Sequence, residues 1–253
     1  MENCELIKRR NYTVVKKNEL IRFCRFSLTA RQKKVLLYLI SMIRPEDSPN
    51  TVYRTSLREI CEIFGLEYRK NGRYYALLRE DLRAIASVSF WVDVNQHEEE
   101  TFRWIDSFLL NKVNTGVVFS FHHSVAPFLF NVKRNYTQYA FYNALVLENT
   151  YSISLYELLC FSLHKRELII GVDDLRRHLS ADDKGYQNFT NFRKKVLEPA
   201  VEEINEYTNL SVTLGFEKDG RTFSKAVLLI EEKSDFENIV TRHHADKRLW
   251  GRG

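Results

Sequence analysis

Apolar residues recur first at helical and then at strand spacing, and this order is run through twice along the chain. In the first half Val35, Leu36, Leu39, Ile40 and Ile43 form a helical stripe behind Thr29 and Gln32, the spacing of a capping box. Pro45 and the polar run to Asn50 end that helix. Ser56 with Glu59 marks a second box ahead of Leu57, Ile60, Cys61 and Phe64, and Gly65 is its stop. A third helix is expected over 71–86, with Tyr74, Leu78, Leu82 and Ile85 on one face. Strands are expected over 88–94, 101–110 and 116–121, with a polar turn at His97-Glu98-Glu99-Glu100 and a short helix over 123–130.

The second half repeats the order. Leu155, Leu158, Leu159 and Leu163 build a first helix, with Ser154 and Glu157 as a candidate capping box. A short strand over 167–171 follows. Asp173 is then expected to cap a helix containing Leu175 and Leu179, and a loop over 180–185 leads into a helix over 186–205. Strands over 210–216 and 222–231 flank Asp219-Gly220, a strong hairpin signal. Three helices followed by a β-hairpin is the winged-helix arrangement. The pattern therefore predicts an α+β protein of two tandem winged-helix domains, over 1–143 and 144–232, with residues 1–11 and a basic tail over 233–253 expected to be flexible. The halves share no alignable identity, so the repeat is one of architecture.

The segment 186–205 carries the chemistry. Wound at about 100° per residue, it puts Phe189, Phe192 and Val196 in one narrow sector. Gln187, Thr190, Asn191 and Lys194 face the opposite way, with Arg193 and Lys195 on the flanks. Cations neutralise phosphates, and Asn and Gln can read an adenine edge bidentately, which suits a helix lying in a DNA major groove. An ordinary solvated amphipathic helix is the competing reading. Pro199 lacks the N–H the helix needs, so a kink or break is expected after Glu198, separating a DNA-facing part from a packed remainder.

Net charge is +5 with a pI near 8.9, a modest pointer to a polyanionic partner. The distribution says more, since Lys8-Arg9-Arg10, Lys16-Lys17, Lys33-Lys34, Lys133-Arg134 and Lys165-Arg166 recur along the length. Arg69, Lys70, Arg73 and Arg79 border the third helix of the first domain as candidate phosphate contacts, although Glu80 and Asp81 dilute the local charge. The 13 Tyr and 17 Phe mostly occupy periodic apolar positions and read as core rather than as base-stacking platforms.

Catalysis finds little support. There is no GxxxxGK[ST] loop for a nucleotide. His122-His123 and His243-His244 are adjacent pairs, and neighbours on a strand point to opposite faces, which argues against a shared metal. Asp173-Asp174, Asp182-Asp183 and Glu202-Glu203 read as caps or solvated surface. Cys61 and Cys160 sit in apolar helical patterns as buried free thiols, and Cys4 and Cys24 form no paired spacing with them. No cofactor and no metal are expected. With no apolar leader and no run of 18 apolar residues, the expected location is cytoplasmic, and no membrane partner is expected.

The second half resembles the iteron-binding plasmid replication initiator (Rep) family. The resemblance lies in YSISLYELL (151–159), IIGVDDLRRHL (169–179), FTNFRKKVLEPAVEEINEYTNL (189–210) and the KDGR hairpin (218–221). The first half is similar more loosely, through LTARQKKVLLYLI, the helix near 57–65 and YYALLREDLRAI, so the likeness spans about residues 12–232. It implies two winged-helix domains in a pseudo-two-fold relation, the second reading repeated origin sites and the first adding DNA contacts and a dimer interface. On that basis the recognition-helix positions are Asn188, Thr190, Asn191, Arg193, Lys194 and Lys195, and the wing positions Lys218, Arg221 and Lys225. The implied protein is not an enzyme. It binds double-stranded DNA at origin iterons as a monomer, opens the origin, recruits the host initiator, helicase and polymerase machinery, and represses its own operator as a homodimer. Ser154 stands where the family often has a basic residue, which leaves open any ion pair made there. A winged-helix transcriptional regulator and a metal-dependent rolling-circle nicking initiator are the rival readings.

Overall fold

The computed structural model of the chain describes residues 8–23, 28–70, 72–93 and 98–251. The first described strand is β1 (Thr13–Lys17), and it runs into α1 (Asn18–Phe23). Next come α2 (Ala30–Ser41), β2 (Tyr53–Ser56), α3 (Leu57–Ile63) and α4 (Arg73–Ser87). A hairpin of β3 (Ser89–Asp93) and β4 (Glu99–Arg103) precedes β5 (Ile105–Leu110) and β6 (Gly116–Phe121). The half closes with α5 (Ala126–Leu129), β7 (Tyr136–Ala140) and α6 (Phe141–Leu145), and β7 pairs antiparallel with β1.

The second half begins with α7 (Thr150–Ser162), β8 (Glu167–Gly171) and α8 (Val172–His178). A third helix runs through α9 (Phe189–Phe192), a π turn (Arg193–Leu197) and α10 (Glu198–Tyr207). The hairpin of β9 (Leu210–Asp219) and β10 (Thr222–Glu232) follows, and then α11 (Asp235–Trp250). The strand orders are β2-β6-β5 and β8-β10-β9, all antiparallel. In both sheets the strand between the first two helices pairs with the last strand, which sits in the centre. That shared topology makes the halves two copies of one winged-helix plan.

Local chemistry explains the element boundaries. Thr29 and Ser56 each form a full capping box, with Gln32 and Glu59 returning the bond. Gly65 ends α3 at φ +69°, a left-handed position that favours glycine, and a Cβ there would lie 2.6 Å from the Leu249 carbonyl oxygen. Gly220 likewise takes a positive φ at the β9–β10 turn. Cys61 is a buried free thiol and Cys160 a partly buried one, whereas Cys4 and Cys24 lie outside the described residues.

The helix α7 lies between the two halves and is buried on every side, including Ile153, Leu155, Tyr156 and Leu159. It packs against α1, α2 and β7 of the first domain and against α10 and β8 of the second. A helix apolar all round is a core helix, and each fully buried Leu or Ile contributes about 1.5–3 kcal/mol. A polar cluster is sealed in with it. The Glu157 carboxylate accepts from the Lys16 ammonium and from the Tyr139 hydroxyl, and the Lys33 ammonium donates to Ser154 Oγ. Burial pushes the Lys33 ammonium down to about 8, with Glu157 opposing that shift and Lys16 adding to it. Lys33 of α2 thus places a positive charge beside Ser154 from across the junction.

Several expectations are corrected. Ser154 and Glu157 are no capping box, because α7 starts earlier, with Asn149 Oδ1 accepting the Tyr151 N–H at 2.9 Å. Asp173 lies inside the first turn of α8, after Gly171 at the cap, and pairs with Arg176. The strand over 101–110 is broken at Trp104, buried between β4 and β5. Glu99 and Glu100 belong to β4 rather than to a turn, and His97 lies outside the described residues. Residues 1–7 also lie outside them. Arg9 and Arg10, expected in a flexible stretch, are anchored, Arg9 on Tyr38 and Glu59, and Arg10 on the Ile63 and Glu62 carbonyl oxygens at 2.7 Å each. The tail expected to be flexible is the helix α11, capped by a Ser234/Glu237 box, with Ala245 and Leu249 buried. Its inward face, Asn238, Thr241, Ala245, Asp246, Arg248 and Leu249, has helical spacing but is mostly polar, so it leaves little hydrophobic periodicity in the sequence.

Candidate nucleic-acid interface

The third helix of the second domain is set by its caps and its proline. Asn188 Oδ1 accepts the Asn191 N–H at 3.2 Å, so Asn188 acts as the N-cap. Buried Phe192, Val196, Ala200 and Ile204 recur every four residues. In a regular helix that spacing drifts by about 40° per step. The π turn takes up the drift by winding more residues per turn, and the Glu198 N–H bonds to the Arg193 carbonyl, five residues back. Pro199 follows in the first turn of α10, where its missing donor is tolerated. The expected break after Glu198 is thus a π turn ending at Leu197, and the chain stays helical through 189–207.

Thr190, Arg193, Lys194 and Lys195 are exposed on this helix, and Asn191 is half-buried. Lys194 and Lys195 make no ion pair among the described residues, so their ammonium groups face solvent. Arg193 pairs with Glu198 at 2.7 Å and lies 5.5 Å over the Phe216 ring. Its guanidinium thus joins the helix to the wing strand and screens a carboxylate that would repel phosphate.

The wing is tied to the helix by rings. Phe189 stacks on Phe223 with centroids 4.4 Å apart and meets Phe216 edge-on at 5.0 Å. Lys218 sits 4.8 Å over Phe223. Lys225 pairs with Glu217 directly across the hairpin at 3.4 Å, and Arg221 is exposed at the tip. The structure therefore brings Arg193 and Lys218 together around one aromatic cluster, while Lys225 is held by Glu217 on the same hairpin. Arg176 of α8, with its charge paired to Asp173, lies 5.0 Å over the Phe192 ring and packs α8 against the same helix.

In the first domain, α4 presents Arg73, Ala76, Glu80 and Arg83 on its exposed face. Arg83 was not among the sequence-derived candidates, although it is ten residues beyond Arg73, close to three helical turns. Arg79 lies off this face, half-buried at 5.5 Å from the Tyr75 ring. Arg69 is exposed and pairs with Glu67 at 2.8 Å, and Lys70 is exposed. Asp81 does not dilute the charge here, because it is buried and held by Arg31. Arg58 of α3 stacks over Tyr68 at 5.3 Å, beside the turn leading to Arg69.

His122 and His123 do not diverge to opposite faces. They follow β6 rather than lie in it, and their rings meet with centroids 4.0 Å apart. His243 and His244 are on the helix α11, not on a strand. Among the described residues no group of three or more His, Cys, Asp or Glu side chains is placed to hold a metal ion. No helix among them is long and apolar enough to cross a membrane.

Comparison with known proteins agrees with this architecture. Residues 13–160 match the family described as initiator replication protein, WH1, and residues 171–231 match initiator Rep protein, WH2. A crystal structure of the Pi initiator protein in complex with iteron DNA superposes with a TM-score of 0.73 at 20% identity, over 89% of this chain and 99% of that one. Domains 2 and 3 of RctB give a TM-score of 0.47 at 9% identity, over 82% and 84% of the two chains, too low to carry an argument.

Proposed function

The chain belongs to the initiator replication protein family, and from that premise we propose that it starts plasmid replication by binding directly repeated origin sequences. The observation that carries this reading is the second winged helix. One exposed helix face offers Thr190, Lys194 and Lys195 beside a wing bearing Lys218, Arg221 and Lys225. The likeness of the fold to a protein solved on iteron DNA supports the same reading. Phosphate contacts supply most of the affinity and a steep salt dependence, and Asn191 and Thr190 supply base selectivity. Asn188 contributes through its cap more than through bases, since its side-chain oxygen is already engaged.

In this proposal the first domain, through Arg69, Lys70, Arg73 and Arg83, grips flanking phosphates, and Arg79 serves mainly to pack α4. The domain boundary lies near residue 143, with α7 counted as the first helix of the second unit. The monomer binds iterons, melts an adjacent AT-rich tract and engages host initiator, helicase and polymerase proteins, while a homodimer formed through the first domain binds the operator. Nothing in this mechanism needs a covalent step at DNA. The test is footprinting on the DNA flanking the gene, paired with replicon maintenance. Protection of direct repeats next to an AT-rich tract, together with a self-sustaining replicon, is the expected result. Protection of a promoter alone, with no replicon, would establish the regulator instead. A covalent tyrosyl-DNA adduct formed on supercoiled origin DNA with Mg²⁺ would establish the nicking enzyme.

A further inference from the structure

The helix α11 lies beyond both family matches, the second of which ends at residue 231, and it touches both winged-helix domains. On the first domain, Leu249 is buried with its carbonyl over Gly65 at the end of α3. Arg242 donates to Asn11 Oδ1 at 2.6 Å and lies 4.5 Å over the Tyr142 ring, while the Tyr142 hydroxyl donates to Asp246 Oδ1 at 2.8 Å. Arg10, which caps the carbonyl end of α3, stacks over Trp250 at 4.2 Å. On the second domain, Arg248 pairs with Glu203 of α10 at 2.7 Å and lies 4.0 Å over Tyr207.

Glu203 has a further task. Its carboxylate also accepts the Glu148 N–H at 2.7 Å and the Asn149 N–H at 3.3 Å, at the start of α7. One carboxylate thus joins α11, the reading helix of the second domain and the helix between the domains. The opening of α7 is favourable for an anion, so the three-way joint is electrostatically consistent. Lys233, just before α11, donates to the Thr208 carbonyl at 2.8 Å and so closes the end of α10.

We infer that α11 is a strap that holds α4 of the first domain and the α9–α10 helix of the second at one separation, that α4 seats on a half-site of its own beyond gripping phosphates, and that Leu249, Arg242 and Arg248 are positioning residues for the half-site spacing the protein accepts. The inference rests on the proposed DNA-binding reading. With the strap docked, the two domains meet DNA as one rigid reader. A single inserted base pair then turns one half-site by about 34° and moves it by about 3.4 Å, so both helices cannot dock. With the strap released, only the α7 core joins the two domains, their separation is held less tightly, and a shifted half-site is tolerated more readily.

Two full-length variants test this, Leu249→Asp and the double change Arg242→Ala with Arg248→Ala, the second leaving the apolar contacts intact. The DNA probe is a duplex that the parent protein selects from random sequence, with one or two base pairs then inserted between the half-sites. The parent should lose about tenfold or more in affinity on a one-base-pair insertion, and the variants less than about threefold. Variants that discriminate spacing as steeply as the parent would overturn the strap. The companion measurement needs no DNA. Pulsed electron spin resonance between labels at K112C and E231C, with Cys4 and Cys24 replaced by Ser, should give a narrow distance in the parent and a broad one in each variant. An unchanged width in both variants overturns the inference. If the parent selects no duplex, the proposed function falls, and this distance measurement alone decides the strap.

Discussion

Replacing Lys33 with Met should change how the stability of this protein responds to pH. Lys33 is buried at the junction of α2 and α7, where its ammonium is held down to about 8 from an ordinary value of 10.5. The folded state therefore releases this proton earlier than the unfolded chain does. Between pH 8 and 10.5 the unfolded state binds more protons, so the Lys33 contribution to stability rises with pH through that window. At pH 7 both states are protonated, and the folded state bears the full cost of a buried cation. Integrating the shift from pH 7 to pH 10 gives a gain of about 2.5 kcal/mol for the parent, and about 1.2 kcal/mol if the folded value were one unit higher. Lys33→Met has no such titration, and it removes the ammonium's bonds to Ser154 Oγ and to the Thr150 carbonyl at 3.5 Å. Urea unfolding of both proteins at pH 7, 8, 9 and 10 reads the effect of this buried cluster, because titrating groups outside it cancel in the difference. The parent should gain on the variant by about 1–2.5 kcal/mol over that range. A flat difference, or one that falls with pH, would refute the assignment of a destabilised buried ammonium at this junction.

Other perturbations test the interface and the core. Lys194→Ala should weaken binding to any duplex to a similar extent and reduce the salt slope by about one unit, measured by anisotropy titration across salt. A loss confined to one sequence would instead make Lys194 a base reader. Asn191→Ala should shift the recognised sequence at one position, by about 1–3 kcal/mol in a randomised-site selection, and an unchanged preference removes Asn191 from the readers. Burial pushes the Cys61 and Cys160 thiols up to about 12, so at pH 8 iodoacetamide should modify neither in folded protein and both in urea, as read by peptide mass mapping. Rapid native labelling of either thiol would mean that its helix opens locally.

Much of the candidate site was legible in the residues because helix and wing chemistry are local. The Asn188–Lys195 face, the Asp219-Gly220 turn and the role of Phe192 and Val196 as anchors each depend on spacing within a few turns. Pro199 announced a disturbance, and a π turn is how the chain absorbs it without ending the helix. Arg83 escaped because its outward orientation depends on the burial of Leu78, Leu82 and Ile85, which spacing suggests and packing decides. The removal of Asp81 from the surface rests on Arg31, far away in the chain, whereas the demotion of Arg79 rests on the ring of Tyr75 one turn away.

The sequence by itself determined the doubled order of elements, the capping boxes of α2 and α3, the hairpin of the second domain and the apolar anchors of its third helix. Each is a matter of period, cap or turn, and those signals act over a few residues. Only the tertiary structure decided which of the many cations are surface. Arg10, Lys16, Lys33 and Lys34 all lie in basic runs that suggested a polyanionic partner, yet all are buried. Arg10 serves a helix end, Lys16 a carboxylate and Lys33 a hydroxyl across the fold, contacts made by residues distant in sequence and invisible to any local pattern. The same holds for α11, whose few apolar anchors mean little until Gly65 and Glu203 are placed beneath them.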